Sequence, residues 1–336
     1  MKSKKIFYII AILLFSGCRK NEITVPAINK TYYTISQNEL SRAIENGTLP
    51  NDLAVLTVYD AEGEMPDLSY FKHLITLNIL TRRKVDKIII GKYQNDTCEY
   101  IFINNGIDES GARGRKYGDI ENLELLPYFT KLKSITIYNS EIARISIPDQ
   151  ILSIEKLYVK GGSNITDTSF LRNLPNLIDL HLDLSDINAV LFKLASNLRL
   201  SNISIKGNIQ SLEGLDSCPK LHGISLLGNY NISNIINEIP SNITELSLID
   251  CGDILVSIVE MMPETVREIG LFGDDILFRD EDIKDYGDRE INFEGENAKK
   301  YFKKFIKTDD EHYMVLGVES FMVGQTKYTI IMPPED

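Results

Sequence analysis

The chain is short of the residues from which most catalytic and metal sites are built. It carries 4 histidines and 4 cysteines in 336 residues. The cysteines, Cys18, Cys98, Cys218 and Cys251, are scattered without a C-x-x-C pair, which argues against both a zinc site and a disulfide framework. There is no H-E-x-x-H, no G-x-S-x-G and no cysteine with a nearby histidine pattern. The common signatures of metalloproteases, serine hydrolases and thiol enzymes are therefore missing. Positive charge is scarce as well: 36 Lys and Arg against 48 Asp and Glu leave a net charge of -12, which disfavours binding nucleic acid through its phosphates. After the first 17 residues no apolar run is long enough to read as a membrane span.

Two polar segments lack the motif that would make them sites. "DESGARGRKYGD" (Asp108 to Asp119) is glycine-rich and basic but has no Gly-Lys-Ser/Thr ending, so it reads as a solvated loop and not as a phosphate cradle. "FGDDILFRDEDIKDYGDREINFEGE" (Phe272 to Glu296) is acidic but lacks the spacing of an EF-hand loop, and reads as a solvated face. No cofactor and no metal are expected.

What is present begins at the amino terminus. Lys2, Lys4 and Lys5 form a positive region, "IFYIIAILLF" (Ile6 to Phe15) is apolar, and Ser16-Gly17 sets small residues before Cys18. The run is too short to span a bilayer as a helix. The pattern resembles a bacterial lipoprotein signal peptide. That resemblance implies removal of residues 1–17, acylation of Cys18 with palmitate-type chains, and attachment to the cell envelope, at the outer membrane or cell surface, through several lipid chains. Loss of three lysines and no acids would take the net charge from -12 to -15.

Apolar triplets spaced L-x-x-L-x-L then recur through the chain. They fall at Leu132/Ile135/Ile137, Ile154/Leu157/Val159, Leu177/Leu180/Leu182, Leu200/Ile203/Ile205, Leu221/Ile224/Leu226, Ile243/Leu246/Leu248 and Val266/Ile269/Leu271. The steps between first positions are 22, 23, 23, 21, 22 and 23 residues, a period that marks a solenoid. Leu53/Leu56/Val58, Leu74/Leu77/Ile79 and Cys98/Ile101/Ile103 fit the same template less regularly. A unit of this size cannot bury its own leucines, but stacked neighbours share a continuous core.

The pattern resembles a leucine-rich repeat array. "ITDTSFLRNLPNLIDLHL" (Ile165 to Leu182) and "IQSLEGLDSCPKLHGISL" (Ile209 to Leu226) are similar to internalin-type 22-residue repeats of bacterial surface proteins, whereas "IPSNITELSL" and "MPETVREIGL" look like proline-started repeats of bacterial effectors. The convex side is therefore expected to change character near residue 235. In this family the position three after the triplet is usually Asn. Here it is Ser140, Gly162, Ser185, Asn208, Asn229, Cys251 and Asp274, so Cys251 reads as a buried structural thiol.

The resemblance implies an α/β solenoid, a horseshoe with parallel β-strands on the concave face, an N-terminal helical cap and a C-terminal αββ cap. The expected divisions are a signal peptide at 1–17, a lipidated tether at 18–30, an N-terminal cap at 31–52, the array at 53–295 with an irregular insertion at about 81–119, and a capping unit at 296–336. "SQNELSRAIENG" (Ser36 to Gly47) supplies a capping box and a glycine stop for the first cap. "NAKKYFKKFI" (Asn297 to Ile306) and two strands turning near Gly324 supply the second. "KIIIGKYQNDTCEYIFI" (Lys87 to Ile103) fits either a distorted repeat or a β-hairpin.

Alternation along a strand sends the triplet residues to the core and those between them to the concave face. That places Asp179, His181 and Asp183 of "LIDLHLDLSDI" outside, flanked by Lys156, Tyr158 and Lys160 on one side and Asn202, Ser204 and Lys206 on the other. Tyr138 belongs to the preceding strand. Lys160, Asp183 and Lys206 suggest an alternating charge ladder, which cross-strand attraction alone explains. The same register aligns Leu227, Ile249 and Phe272 into an expected exposed apolar rail. Tyr138, Tyr158, Lys160, Asp179, His181, Asp183, Lys206, Leu227, Ile249 and Phe272 are the candidate contacts for a protein or glycan partner. The function this implies is recognition at a membrane-anchored surface, in adhesion or host interaction, without catalysis. The alternative is a structural component of an envelope assembly.

Overall fold

The computed structural model describes residues 32–104, 118–138, 142–161, 164–184, 189–192, 194, 196–273, 276–302 and 318–331. The signal segment, Cys18 and its tether, most of the Asp108 to Asp119 loop, and Ser140, Gly162, Ser185 and Asp274 lie outside the described residues.

Each leucine triplet forms a short strand, and the strands stack into one 14-stranded sheet. In spatial order these are Tyr32–Ser36, Val55–Tyr59, Thr76–Leu80, Tyr100–Ile103, Ser134–Tyr138, Lys156–Lys160, Asp179–Asp183, Asn202–Lys206, Gly223–Leu227, Glu245–Ile249, Glu268–Phe272, Glu290–Glu294, Thr326–Ile331 and Val318–Val323. All neighbours are parallel except the last two strands. The register places Leu157, Leu180, Ile203, Ile224, Leu246, Ile269 and Ile291 side by side, and every one is buried. Burial of one such side chain stabilises by about 1.5–3 kcal/mol, so the row is a repeated energetic term shared between neighbours.

Behind the sheet the return segments vary. Gly63–Glu64, Val85–Ile90, Ile120–Leu125 and Arg144–Ser146 form a second, four-stranded parallel sheet. Farther along, short helical turns such as Ser169–Asn173 and Leu215–Ser217 replace it. Ile232–Ile235 then forms one α-helical turn, followed by a six-residue turn at Val256–Met261.

The ambiguous Lys87 to Ile103 segment is a distorted repeat. Val85–Ile90 sits in the rear sheet and Tyr100–Ile103 in the front sheet, so the two never pair as a hairpin. Asn95 makes the turn between them possible. Its side-chain carbonyl accepts the backbone N–H of Thr97 at 3.1 Å and of Cys98 at 2.9 Å, and its amide donates to the Leu68 carbonyl at 2.8 Å. Asn197 repeats the motif, accepting from the N–H groups of Arg199 and Leu200 and donating to the Leu174 carbonyl. Both residues are buried and both stand three positions before the first triplet residue. At the position where the family resemblance implies Asn, Asn229 is buried and donates to the Ile209 carbonyl. Cys251 is buried there too, with its thiol against the Leu226 and Ile249 carbonyls, and burial pushes its pKa up to about 11.

The irregular unit is closed by Thr81, Asn104 and Gly118. Asn104 accepts the Thr81 N–H at 2.8 Å and donates to the Gly118 carbonyl at 2.9 Å. A side chain at 118 would collide with the Arg83 backbone, so glycine is required by the close approach.

At the amino end, helix Gln37–Glu45 starts from Ser36 with both halves of the capping box formed. The helix is preceded by a strand, Tyr32–Ser36, that pairs with Val55–Tyr59 and extends the sheet by one unit. At the carboxyl end, helix Glu296–Phe302 packs Tyr301 and Phe302 against Phe278, with ring centroids 4.9 and 5.3 Å away. The two final strands turn at Gly324, where φ is 62°, and Thr326–Ile331 continues the sheet. No helix among the described residues is long and apolar enough to cross a membrane.

Replacing Asn95 by Ala would leave the Thr97 and Cys98 N–H groups without their acceptor inside the stack. The expected loss is about 1–3 kcal/mol in urea unfolding. Alkylation of Cys98 should accelerate with it, because this buried thiol, raised to about 12 by desolvation, reacts only when the unit opens. An unchanged midpoint together with unchanged labelling would contradict the assignment.

Candidate functional site

The outward face of strands 134–206 gathers the chemically versatile side chains. Tyr158 lies opposite His181, and His181 opposite Ser204; Lys156 lies opposite Asp179, and Asp183 opposite Lys206. The buried Leu157, Val159, Leu180 and Leu182 between them hold these residues on the far side of the sheet from the core.

Local contacts order the group. Lys156 Nζ is 3.2 Å from Asp179 Oδ2. His181 Nε2 is 3.4 Å from Asp183 Oδ1, and the Gly161 N–H donates to Asp183 Oδ2 at 2.5 Å. The Tyr158 and His181 rings are 6.5 Å apart and tilted by 32°. Desolvation works against ionisation of Asp183, yet the hydrogen bonds from His181 and Gly161 and the positive charges of His181 and Lys206 outweigh it and hold the carboxyl below its usual range. Lys206 also reaches along the sheet, its Cε lying near Gly228.

The expected Lys160, Asp183, Lys206 ladder holds on one side only: Asp183 stands opposite Lys206, whose charge helps to hold its carboxyl low, while the Lys160 half does not form. Both oxygens of Asp183 are engaged by Gly161 and His181, and Lys160 swings away to lie over the Tyr138 ring with its Nζ 5.8 Å from the centroid. Lys160 is exposed and makes no ion pair among the described residues. Tyr138 is half-buried, and desolvation raises its phenol above the usual value.

The expected exposed rail is also corrected. Ile249 and Phe272 are only 2 % and 4 % exposed, and Leu227 is half-buried. The Phe272 ring folds back along its own strand over Gly270, so closely that a Cβ there would sit 2.5 Å from the ring. The missing side chain at Gly270 creates the recess that takes the ring in.

Two features were missed from the sequence. Ser204 Oγ, beside His181, is buried without a hydrogen-bond partner among the described residues. Glu245, Glu268 and Glu290 stand directly opposite one another on three strands. Burial and the Glu268 charge raise the Glu245 pKa, and Lys327 pairs with Glu290 at 3.0 Å. The alternation that located Asp179 would have located these carboxylates as well. Near the amino end a polar cleft is lined by Gln37, Asn38, Asp60, Glu62 and Arg83, but Arg82 and Arg83 are already paired with Asp60 and Glu62. No group of three or more His, Cys, Asp or Glu among the described residues is arranged to hold a metal ion.

No protein-family model matches the chain, and no curated protein matches it. Among solved structures, an internalin (inlF) from Listeria monocytogenes is similar at 14% identity over 74% of this chain and 84% of its own, with a TM-score of 0.28. At that distance the likeness carries no conclusion about shape or partner; the repeat architecture rests on the strand ladder itself.

Asp183→Asn should cost about 1 kcal/mol near neutral pH, since it removes an ionic acceptor from two donors. The pH dependence has a definite sign. With the folded pKa depressed, the carboxylate stabilises the fold above the ordinary value of about 4 and loses that contribution as pH falls through the folded value. Urea midpoints of the two proteins should therefore converge in acid; a constant gap down to the acid transition would refute this role.

Proposed function

We propose that the chain is a membrane-anchored recognition module of the bacterial cell surface, held by a lipid at Cys18, whose outward sheet face binds a protein or glycan through Tyr138, Tyr158, Lys160, Asp179, His181, Asp183, Lys206 and Ser204. The observation that carries this reading is the combination at strands 134–206 of two tyrosines, an imidazole and, among the described residues, an ammonium outside any ion pair and a buried hydroxyl with no partner. Aromatic faces bury well against a partner, and the fixed polar groups give orientation. A buried unsatisfied hydroxyl costs stability on the order of 1–3 kcal/mol, and a partner's polar atom would recover it. The apolar residues Leu227, Ile249 and Phe272 contribute to this reading only through the accessible part of Leu227. The reading is adhesive only in the sense of capture at a surface; nothing in the site performs bond chemistry.

Benzophenone-alanine in place of Tyr158, in the full chain on living cells, should give a discrete photo-adduct. The same group in place of Lys87, on the rear sheet, should not. Ser204→Ala should weaken the Tyr158 adduct while leaving the melting temperature unchanged or higher. Absence of any adduct at 158, or a Ser204→Ala protein that melts lower and still forms the adduct, would make the row structural.

Surface exposure is tested separately by protease shaving of intact cells, with an internal lipoprotein as control. Peptides from residues 130–290 should disappear. Their protection would place the face inside the envelope and end the adhesive reading.

A further inference from the structure

Because every strand from Tyr32–Ser36 to Glu290–Glu294 runs the same way, the sheet has one edge where all of these strands begin and another where they end. The two edges differ. Turns on the leading edge present Tyr128, Leu152 and Leu198 at 50 %, 60 % and 66 % exposure. Leu152, Pro175, Leu198 and Pro219 each stand two residues before the first apolar residue of their unit, so the two leucines belong to one line, about 10 Å apart across two strand spacings.

Charge on this edge is of both signs: Asp149 and Asp216 are exposed and stand, like Arg172, five residues before the first apolar residue of their units. Glu99 is paired with Lys133 at 2.9 Å and Glu155 with Arg199 at 3.0 Å. Asp96 is held by Gln94 and Thr130 with Lys72 and Lys131 nearby. Arg172 and Lys220 are exposed and make no ion pair among the described residues. The edge therefore combines large apolar side chains with charges of both signs, Lys131, Arg172 and Lys220 beside Asp149 and Asp216.

The point of attachment lies on the same edge. Tyr32 begins the first strand and is 68 % exposed, with Tyr33 at 39 %. The segment leading back to Cys18 must leave from there by covalent continuity.

We propose that the leading edge of the sheet rests on the bilayer, with Leu152 and Leu198 at headgroup depth and Lys131, Arg172 and Lys220 facing anionic lipid. The proposal rests on the reading of Cys18 as the anchor. One tether fixes a point and leaves orientation free; a second, weaker contact at a lipid surface sets the angle. The covalent tether brings the edge to the lipid, and Lys131, Arg172 and Lys220 give it local contacts for anionic headgroups beside Asp149 and Asp216. In that pose the strands point away from the membrane, and the face bearing Tyr158 and His181 stands upright beside open solvent.

The absence of tryptophan from the chain allows a direct test. Single reporters Leu152→Trp, Leu198→Trp and Tyr230→Trp are introduced into the full lipidated chain. Each is reconstituted in phosphatidylethanolamine and phosphatidylglycerol vesicles with acyl-brominated lipid. Tyr230, 75 % exposed, follows a strand on the opposite edge. Quenching of at least twofold at 152 and 198, with none at 230, is the expected result. Equal emission at all three sites, stronger quenching at 230, or a concentration-dependent blue shift at 152 without quenching would overturn it, the last by showing a second copy on the edge. Vesicle flotation of the unmodified chain and of Cys18→Ser separates the two premises. If the unmodified chain fails to float, the anchor reading fails and takes the orientation with it; if it floats while 152 and 198 stay unquenched, the orientation alone fails.

Discussion

A repeat of about 22 residues has too little apolar surface to fold by itself, and the whole molecule is organised by the need to share it. Sharing works only if each strand meets its neighbour in the same register, because a slip of one residue would turn every leucine outward. From Leu157 through Ile291 the register holds without a break. Hydrophobic stacking thus sets which side chains face out as firmly as which face in, and the outward surface is a by-product of the core.

Stacking also imposes a polar problem, since a chain that turns behind a sheet buries backbone groups that are not part of any strand. The buried amides of Asn95, Asn197 and Asn229 answer it locally, each bonding its own turn and reaching back to the preceding unit. This explains how the array tolerates the long, irregular stretch before Ser134. Asn95 and the Thr81, Asn104, Gly118 contacts rebuild the turn, while the front strands keep their pairing.

The strand positions, the buried Cys251 and the outward placement of Asp179, His181 and Asp183 were legible because they follow from periods of 22 and 2. What escaped depends on lengths and rotamers that periodicity does not encode. Lys160 and Lys206 looked equivalent beside Asp183, but Lys206 acts on that carboxylate while Lys160 lies over the Tyr138 ring, the carboxylate oxygens being taken up by the N–H of Gly161 and the ring of His181. Phe272 looked exposed by alternation, yet the empty space above Gly270 let its ring lie flat. Asn95 and Asn197 were missed for a different reason: they stand three residues ahead of the triplet, whereas the family pattern draws attention to the position after it. The strand at Tyr32–Ser36 lacks the triplet signature altogether and is recruited by the edge it pairs with.

The outward face is not uniform along its length. Toward the amino end it carries aromatic rings, His181 and ammonium groups, and toward the carboxyl end it carries Glu245, Glu268, Glu290 and Glu294. Like charges directly across strands are unfavourable, and Glu245 and Glu294 are held above the usual carboxylate range, chiefly by burial and secondarily by neighbouring Glu268 and Asp250 respectively. Of these glutamates, only Glu290 forms an ion pair among the described residues, with Lys327 on the strand that follows. A partner lying along the face would therefore meet hydrogen-bonding and ring surfaces at one end and negative potential at the other. Such a gradient fixes the direction in which a ligand lies, and it does so without any residue of the core changing, because core and face occupy alternate positions of the same strands.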